Sequence, residues 1–309
     1  MKKNLLFTIV LTFSLGSGFA QTLEELKAEQ TAKKDSIADI QSRVDALQDQ
    51  IDAMPGWKIG AFGTIGASFS EFNNWYAQGS PNNSSGSIGI TINPFANLKQ
   101  EKYFWFNTAN INLGWVKFDD KDDPNDEKDF RQATDVFNIT SLFGYNIAKN
   151  LAVSTLVEYR TTLLDNQNDP GYLDVGVGAT WTPLTGLVIV VHPLNYNFVF
   201  SEDDSIFESS AGAKLVANYT RSIGNLDLMS NLSMFQSYEN SDLSNWTWIN
   251  SMSYKLWKNF GLGLELGLRD NKQEAVNYAV NTLGNEDVTF DNVDNEIQVY
   301  TTFGISYNF

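Results

Sequence analysis

Two periods of apolar residues divide the chain. Between Leu23 and Met54 the apolar positions are Leu23, Leu26, Ile37, Ile40, Val44, Leu47, Ile51 and Met54, spaced three and four apart, with Gln30 and Lys33 filling the two slots between Leu26 and Ile37. That spacing is a heptad seam, with β-branched Ile37, Val44 and Ile51 in one core position and Ile40, Leu47 and Met54 in the other. The remaining positions are charged, amide or small, as a solvated helix face requires. The pattern predicts an α-helical coiled-coil stem over residues 21–55, roughly 45–50 Å long at 1.5 Å per residue. Pro55-Gly56 stops it.

From Trp57 onward the period is two. In residues 260–269, Phe260, Leu262, Leu264, Leu266 and Leu268 alternate with Gly261, Gly263, Glu265, Gly267 and Arg269. The last segment repeats the pattern, with Ile297, Val299, Phe303 and Ile305 set against Glu296, Gln298, Thr302 and Ser306. About twelve such segments follow one another, most of them as long as tilted membrane strands need. Their connections alternate between short turns (148–150, 183–186, 223–225, 258–259) and long polar loops (73–86, 119–129, 165–170, 202–208, 237–243, 270–294). Tyr and Trp stand near strand ends at Trp57, Tyr159, Trp181, Tyr219, Trp246, Trp257 and Tyr307, as interfacial girdles do. A secreted β-sandwich explains the alternation but neither the consistently apolar second face nor the girdles. The expected fold is all-β: a transmembrane antiparallel β-barrel of about twelve strands over residues 56–309, preceded by the helical stem.

The first residues set the compartment. Lys2-Lys3, the apolar run from Leu5 to Leu15 and the small-residue stretch ending at Ala20 read as a signal peptide over residues 1–20. Its removal changes the net charge from −16 to −18. The five acidic long loops, at 119–129, 165–169, 202–208, 239–242 and 270–294, together carry that same −18. The negative field is therefore concentrated on one face, which an outer-membrane barrel with periplasmic termini turns outward. A strongly acidic chain is a poor match for nucleic acid. With no cysteine, thiol chemistry and Cys-based zinc sites are excluded.

Inside the barrel the alternation places Lys58, Arg160, Lys214, Lys255 and Arg269 against Glu158, Asp174, Asp227, Glu265 and Glu296. Signs in balance predict charges that cross-link the interior rather than an ion-selective pore. Inward Phe62, Phe104, Phe106 and Phe235 narrow a bore that twelve strands already make tight.

Candidate chemistry is sparse. His192 is the only histidine, and a Ser–His pair on a barrel would suggest lipid hydrolysis. The sequence sets no clear nucleophile beside it, so no catalytic residue is assigned and His192 is expected to be a polar residue near a strand end. The acidic stretch 119–126 is oxygen-rich enough to attract Ca²⁺ or Mg²⁺, but it lacks the EF-hand spacing, and no metal ligand or cofactor is assigned.

Ser70-Glu71-Phe72-Asn73-Asn74-Trp75, Gly79-Ser80-Pro81-Asn82-Asn83-Ser84, Phe104-Trp105-Phe106-Asn107 and Leu113-Gly114 carry a resemblance. With Arg131 to Asp135, Phe143-Gly144-Tyr145 and Pro170-Gly171-Tyr172, the chain from roughly residue 57 to 309 resembles a Bacteroidetes family of outer-membrane barrels of unknown function. The resemblance implies the compartment and the fold and supplies no reaction or substrate. The expected role is structural or interactive. The barrel sits in outer-membrane lipid and its stem associates with itself, as a trimer given Ile at both core positions of one layer, or docks other envelope proteins. The alternative is a narrow diffusion channel for small solutes.

Overall fold

The computed structural model describes residues 22–72, 83–121, 123, 125, 126 and 128–308. The signal peptide expected over residues 1–20 lies outside them. The chain forms two compact units, residues Met1–Ile51 and Asp52–Phe309.

In the first unit, helix α1 spans Leu23–Ala53. Its start is a capping box: the Glu25 amide donates to Thr22 Oγ1 at 3.2 Å while the Thr22 amide donates to Glu25 Oε2 at 2.9 Å. Two of the unpaired donors at a helix start are thereby satisfied reciprocally. Glu29 and Lys33, four residues apart, pair at 2.8 Å on the surface, which contributes about 0.3–0.5 kcal/mol. The seam residues from Leu23 to Met54 are all exposed in the single chain, between 48% and 67%. Gly56, at φ +131°, is in a backbone conformation that favours glycine and begins the next element.

The second unit is a closed barrel of twelve antiparallel strands, each paired with its sequence neighbour, with β12 returning to β1. The strands are β1 (Gly56–Phe72), β2 (Asn83–Lys99), β3 (Tyr103–Asp120), β4 (Arg131–Ala148), β5 (Leu151–Thr161), β6 (Gly171–Leu184), β7 (Leu187–Phe200), β8 (Ser210–Ile223), β9 (Leu226–Ser237), β10 (Asn245–Trp257), β11 (Phe260–Asn271) and β12 (Gln298–Asn308). Closure matters energetically, because it leaves neither edge of the sheet without a neighbouring strand. Among the described residues, four pairs from Phe62–Asn308 to Ile65–Ile305 join β1 to β12.

The period-two pattern is visible directly in burial. Along β5 the even-numbered Ala152, Ser154, Leu156, Glu158 and Arg160 are buried, and Val153 and Val157 are exposed. Ile59, Ile65, Trp105, Leu194, Phe198, Leu256, Phe303 and Ile305 continue an exposed apolar outer surface around the barrel. The inner face is mostly polar and closely packed.

The 270–294 connection is more structured than a solvated polar loop. Asn271 caps a short helix, α2 (Lys272–Asn277), by accepting from the Gln273 amide at 3.1 Å. A single π-helical turn (Tyr278–Thr282) follows. Val276 packs with Tyr172, Ile206 and Phe207, joined by Val199, Val280, Phe290 and Val293, so apolar residues dispersed among loop acids form a small core at the long-loop end.

Candidate functional site

The side chains that sequence periodicity turns inward form two separate clusters. The first is built by β5, β6 and β8. Lys214 Nζ lies 2.8 Å from Glu158 Oε1 and 2.5 Å from Asp174 Oδ2. Arg160 approaches the same two carboxylates, at 3.2 Å to Glu158 and 3.4 Å to Asp174. Two acids and two bases, all buried, close a neutral square. Ser233 donates to Glu158 at 2.7 Å and Asn195 to Asp174 at 2.9 Å, while Arg160 also donates to Asn245 at 2.9 Å. The Arg160 guanidinium stacks 5.3 Å from the Tyr172 ring centroid.

The second cluster surrounds Glu265 on β11, which is 1% exposed. Its carboxylate accepts from Ser251 Oγ at 2.7 Å, Asn112 Nδ2 at 2.9 Å, Tyr300 OH at 3.0 Å and Asn93 Nδ2 at 3.3 Å. Asn110 Nδ2 reaches it at 3.4 Å and also donates to Asn93 Oδ1 at 2.7 Å. Gly267, opposite Tyr300 on the neighbouring strand, leaves the space its ring occupies; a Cβ there would collide with it. Among the described residues no cation lies within 4 Å of Glu265.

Both clusters span the bore. Glu265 on β11 meets Asn110 and Asn112 on β3, and Arg160 on β5 reaches Asn245 on β10. Glu158 on β5 meets Ser233 on β9, and Asn271 Nδ2, where β11 ends, donates to the Tyr172 hydroxyl on β6 at 2.8 Å. The lumen is thus crossed by direct side-chain hydrogen bonds.

Other inward charges lie nearer the ends. Asp227 and Lys255 pair at 2.9 Å close to the short turns, half-exposed. Lys58, also toward that end, is partly exposed on the inward parity of β1. Arg269 forms a close ion pair with Glu274 of α2, whose carboxylate also accepts from the Tyr172 hydroxyl at 2.9 Å. Glu296 does not line the lumen. It is exposed in the unpaired segment before β12, because the ladder begins at Gln298, two residues later than the alternation predicts. Phe104 and Phe235 are buried and Phe106 packs beside Phe104, with rings 4.6 Å apart; the inward expectation for Phe62 falls on a side chain outside the described ones.

His192 also corrects its expectation. It lies within β7, opposite Lys214 on β8, fully buried, and Nε2 stands 2.8 Å from Ser154 Oγ. Thr180 donates to the same Ser154 oxygen at 2.7 Å. The sequence hides this pair because Ser154 and His192 lie on strands separated by β6. The geometry differs from a hydrolase: Nδ1 meets no orienting acceptor among the described residues, and both partners are sealed from lipid and water. Of the described residues, no group of three or more His, Asp or Glu could hold a metal ion.

Sequence reasoning also misses the neutral half of the lumen. Asn93, Asn110, Asn112, Asn195, Asn197 and Asn245 are buried on the inward parity of their strands. Asn is disfavoured in strands, so its recurrence at inward positions is the signal that marks them.

A family model described as a protein of unknown function (DUF3078) matches residues 67–166. No curated protein matches. The structure is similar to an outer membrane channel from Pseudomonas putida F1 at 12% identity and a TM-score of 0.39, covering 83% of this chain and 97% of that one. It is also similar to the translocator domain of the autotransporter NalP from Neisseria meningitidis at 11% identity and a TM-score of 0.34, covering 90% of this chain and 98% of that one.

Proposed function

We propose that the protein is an outer-membrane β-barrel whose lumen is sealed and whose role is structural or interactive, exercised through the periplasmic stem. The observation that carries this reading is the bore itself, crossed by the hydrogen bonds of Glu265, Arg160 and Glu158 to strands on the far side. A conducting pore leaves its lining wet, whereas these side chains are buried. The exposed apolar outer surface matches lipid, since a soluble protein rarely exposes apolar patches beyond a few hundred Å². The acidic long loops face outward and the short turns face the periplasm.

The stem supplies the interaction. Ile37, Ile40, Val44, Leu47, Ile51 and Met54 are exposed, and burying such side chains gains roughly 1.5–3 kcal/mol each. The partner is a second copy of the same helix, since the seam is self-complementary and barrels in one membrane meet at high effective concentration. Replacing Val44 and Leu47 by Asp should convert the oligomer in mild detergent to a monomer, read by light scattering, with the barrel still folded. A wild-type chain that is already monomeric would transfer the stem to a different envelope partner.

A further inference from the structure

We infer that the short-turn end of the barrel is a binding surface for the headgroup of an anionic phospholipid, centred on Lys102, Lys149, Tyr103 and Tyr145. The inference rests on the membrane reading of the barrel and adds the kind of lipid it selects. Charge is divided between the two ends of the strands. The long loops carry the acids, whereas near the short turns Lys99, Lys102, Lys149, Arg221 and Lys258 stand against Glu101, and Asp227 is paired with Lys255. Lys99, Lys102 and Lys149 are exposed, and none has a carboxylate within 4 Å among the described residues. The shortest strands have 11 residues. The acidic loops therefore lie roughly 25–35 Å away, several Debye lengths at physiological salt, and do not cancel the local positive field.

Local pairing brings two of these lysines together beside phenol hydroxyls. The Asn146 amide donates to the Lys102 carbonyl at 2.8 Å and the Asn146 side chain to the Glu101 carbonyl at 2.9 Å. The β2–β3 turn thus leans on the end of β4, just before the turn that carries Lys149. Tyr103 and Tyr145 are register partners on β3 and β4, both exposed, and neither hydroxyl has a hydrogen-bond partner among the described residues. Trp57, Trp105 and Trp181 continue the exposed aromatic row, with the Trp57 and Trp105 rings 5.9 Å apart. Phenol and ammonium groups supply the donors that phosphate oxygens accept from. Lysine stems lie along apolar surface while the ammonium stays in water. The occupant is a lipid rather than a free anion, because these donors border exposed Ile147 and Val153, against which acyl chains pack. A zwitterionic headgroup brings a quaternary ammonium that the lysines repel. An anionic headgroup brings none, which sets the preference.

The test uses the full chain refolded from urea into vesicles of equal phosphatidylcholine and phosphatidylglycerol. The barrel is extracted in mild detergent, and the phospholipid still bound is identified by mass spectrometry. Phosphatidylglycerol should be retained about tenfold over phosphatidylcholine, since each lysine near an anionic surface contributes about fivefold. High salt in the extraction should remove most of that preference. K102E/K149E should bring the two lipids to parity, and Y103F/Y145F, which keeps the charge, should lower the preference about twofold to threefold. K121E/K128E changes the net charge equally at the long-loop end and should leave the preference intact. Parity in the wild-type chain would overturn the proposal. So would a preference that survives K102E/K149E, or one that K121E/K128E lowers as much, because the lipid would then answer to another site or to net charge. A chain that enters neither these vesicles nor pure phosphatidylcholine would remove the membrane reading itself, a result distinct from insertion without preference.

Discussion

The two lumen clusters solve one problem, a buried carboxylate, in different ways. Around Glu158 and Asp174 the remedy is charge: Lys214 and Arg160 complete a square that is neutral by itself. Around Glu265 it is a set of neutral donors, Ser251, Tyr300 and three asparagines. The contrast explains why counting signs along the strands is only half informative. Balanced charges describe the β5–β8 side, where acids and bases are neighbours. They do not describe the β11 side, where Glu265 answers to no base and each neutral donor has greater weight.

Breaking the charged square should have the largest effect. Lys214→Met leaves two buried acids with Arg160 alone, and removal of one member of a buried ion pair typically costs about 3–5 kcal/mol. Urea unfolding of the refolded barrel, followed by heat-modifiable gel migration, should show a loss of that size. A loss within about 1 kcal/mol would mean that the square is not holding the wall.

The same small deletion made in both clusters sharpens the comparison. Ser251→Ala removes a donor to Glu265 and should cost about 1.5–3 kcal/mol, as hydrogen bonds to charged groups do. Ser233→Ala removes a donor to Glu158, which keeps Lys214 and Arg160, and should cost about 0.5–1.5 kcal/mol. Reversal of that order would dissolve the distinction between the clusters.

The smallest effect belongs outside the barrel. Hydrogen bonds from the Ser205 hydroxyl and Asn281 Nδ2 hold the partly exposed Asp203 carboxyl below its ordinary value. A group depressed in the folded state adds stability that is present above its unfolded pKa and lost as pH falls through the folded value. The 203–281 contact should therefore loosen only in acid, below the usual carboxylate range, seen as faster amide exchange at residues 203–206. Loosening near neutral pH would exclude Asp203 as its cause.

Much of this architecture is legible from periodicity. Even-numbered Glu158 and Arg160 and odd-numbered Glu265 are assigned inward from alternation alone, and the burial pattern agrees. Two kinds of feature escape. Contacts across the bore join strands that are remote in sequence, so nothing local to His192 points to Ser154, or local to Glu265 to Asn112. Strand ends also escape, because alternation has no stop signal of its own: Glu296 continues the period of β12 but precedes the first ladder bond. At the long-loop end, Val276 and Phe290 are isolated apolar residues in an acidic stretch, and only folding brings them together.

The central claim, a bore sealed by its own side chains, is tested most directly by conductance across a planar lipid bilayer containing the purified full chain. The account predicts no steps, or small ones with little preference between cations and anions, since the charged square is neutral and both clusters bridge the lumen. Large, stable, strongly cation-selective steps would contradict it.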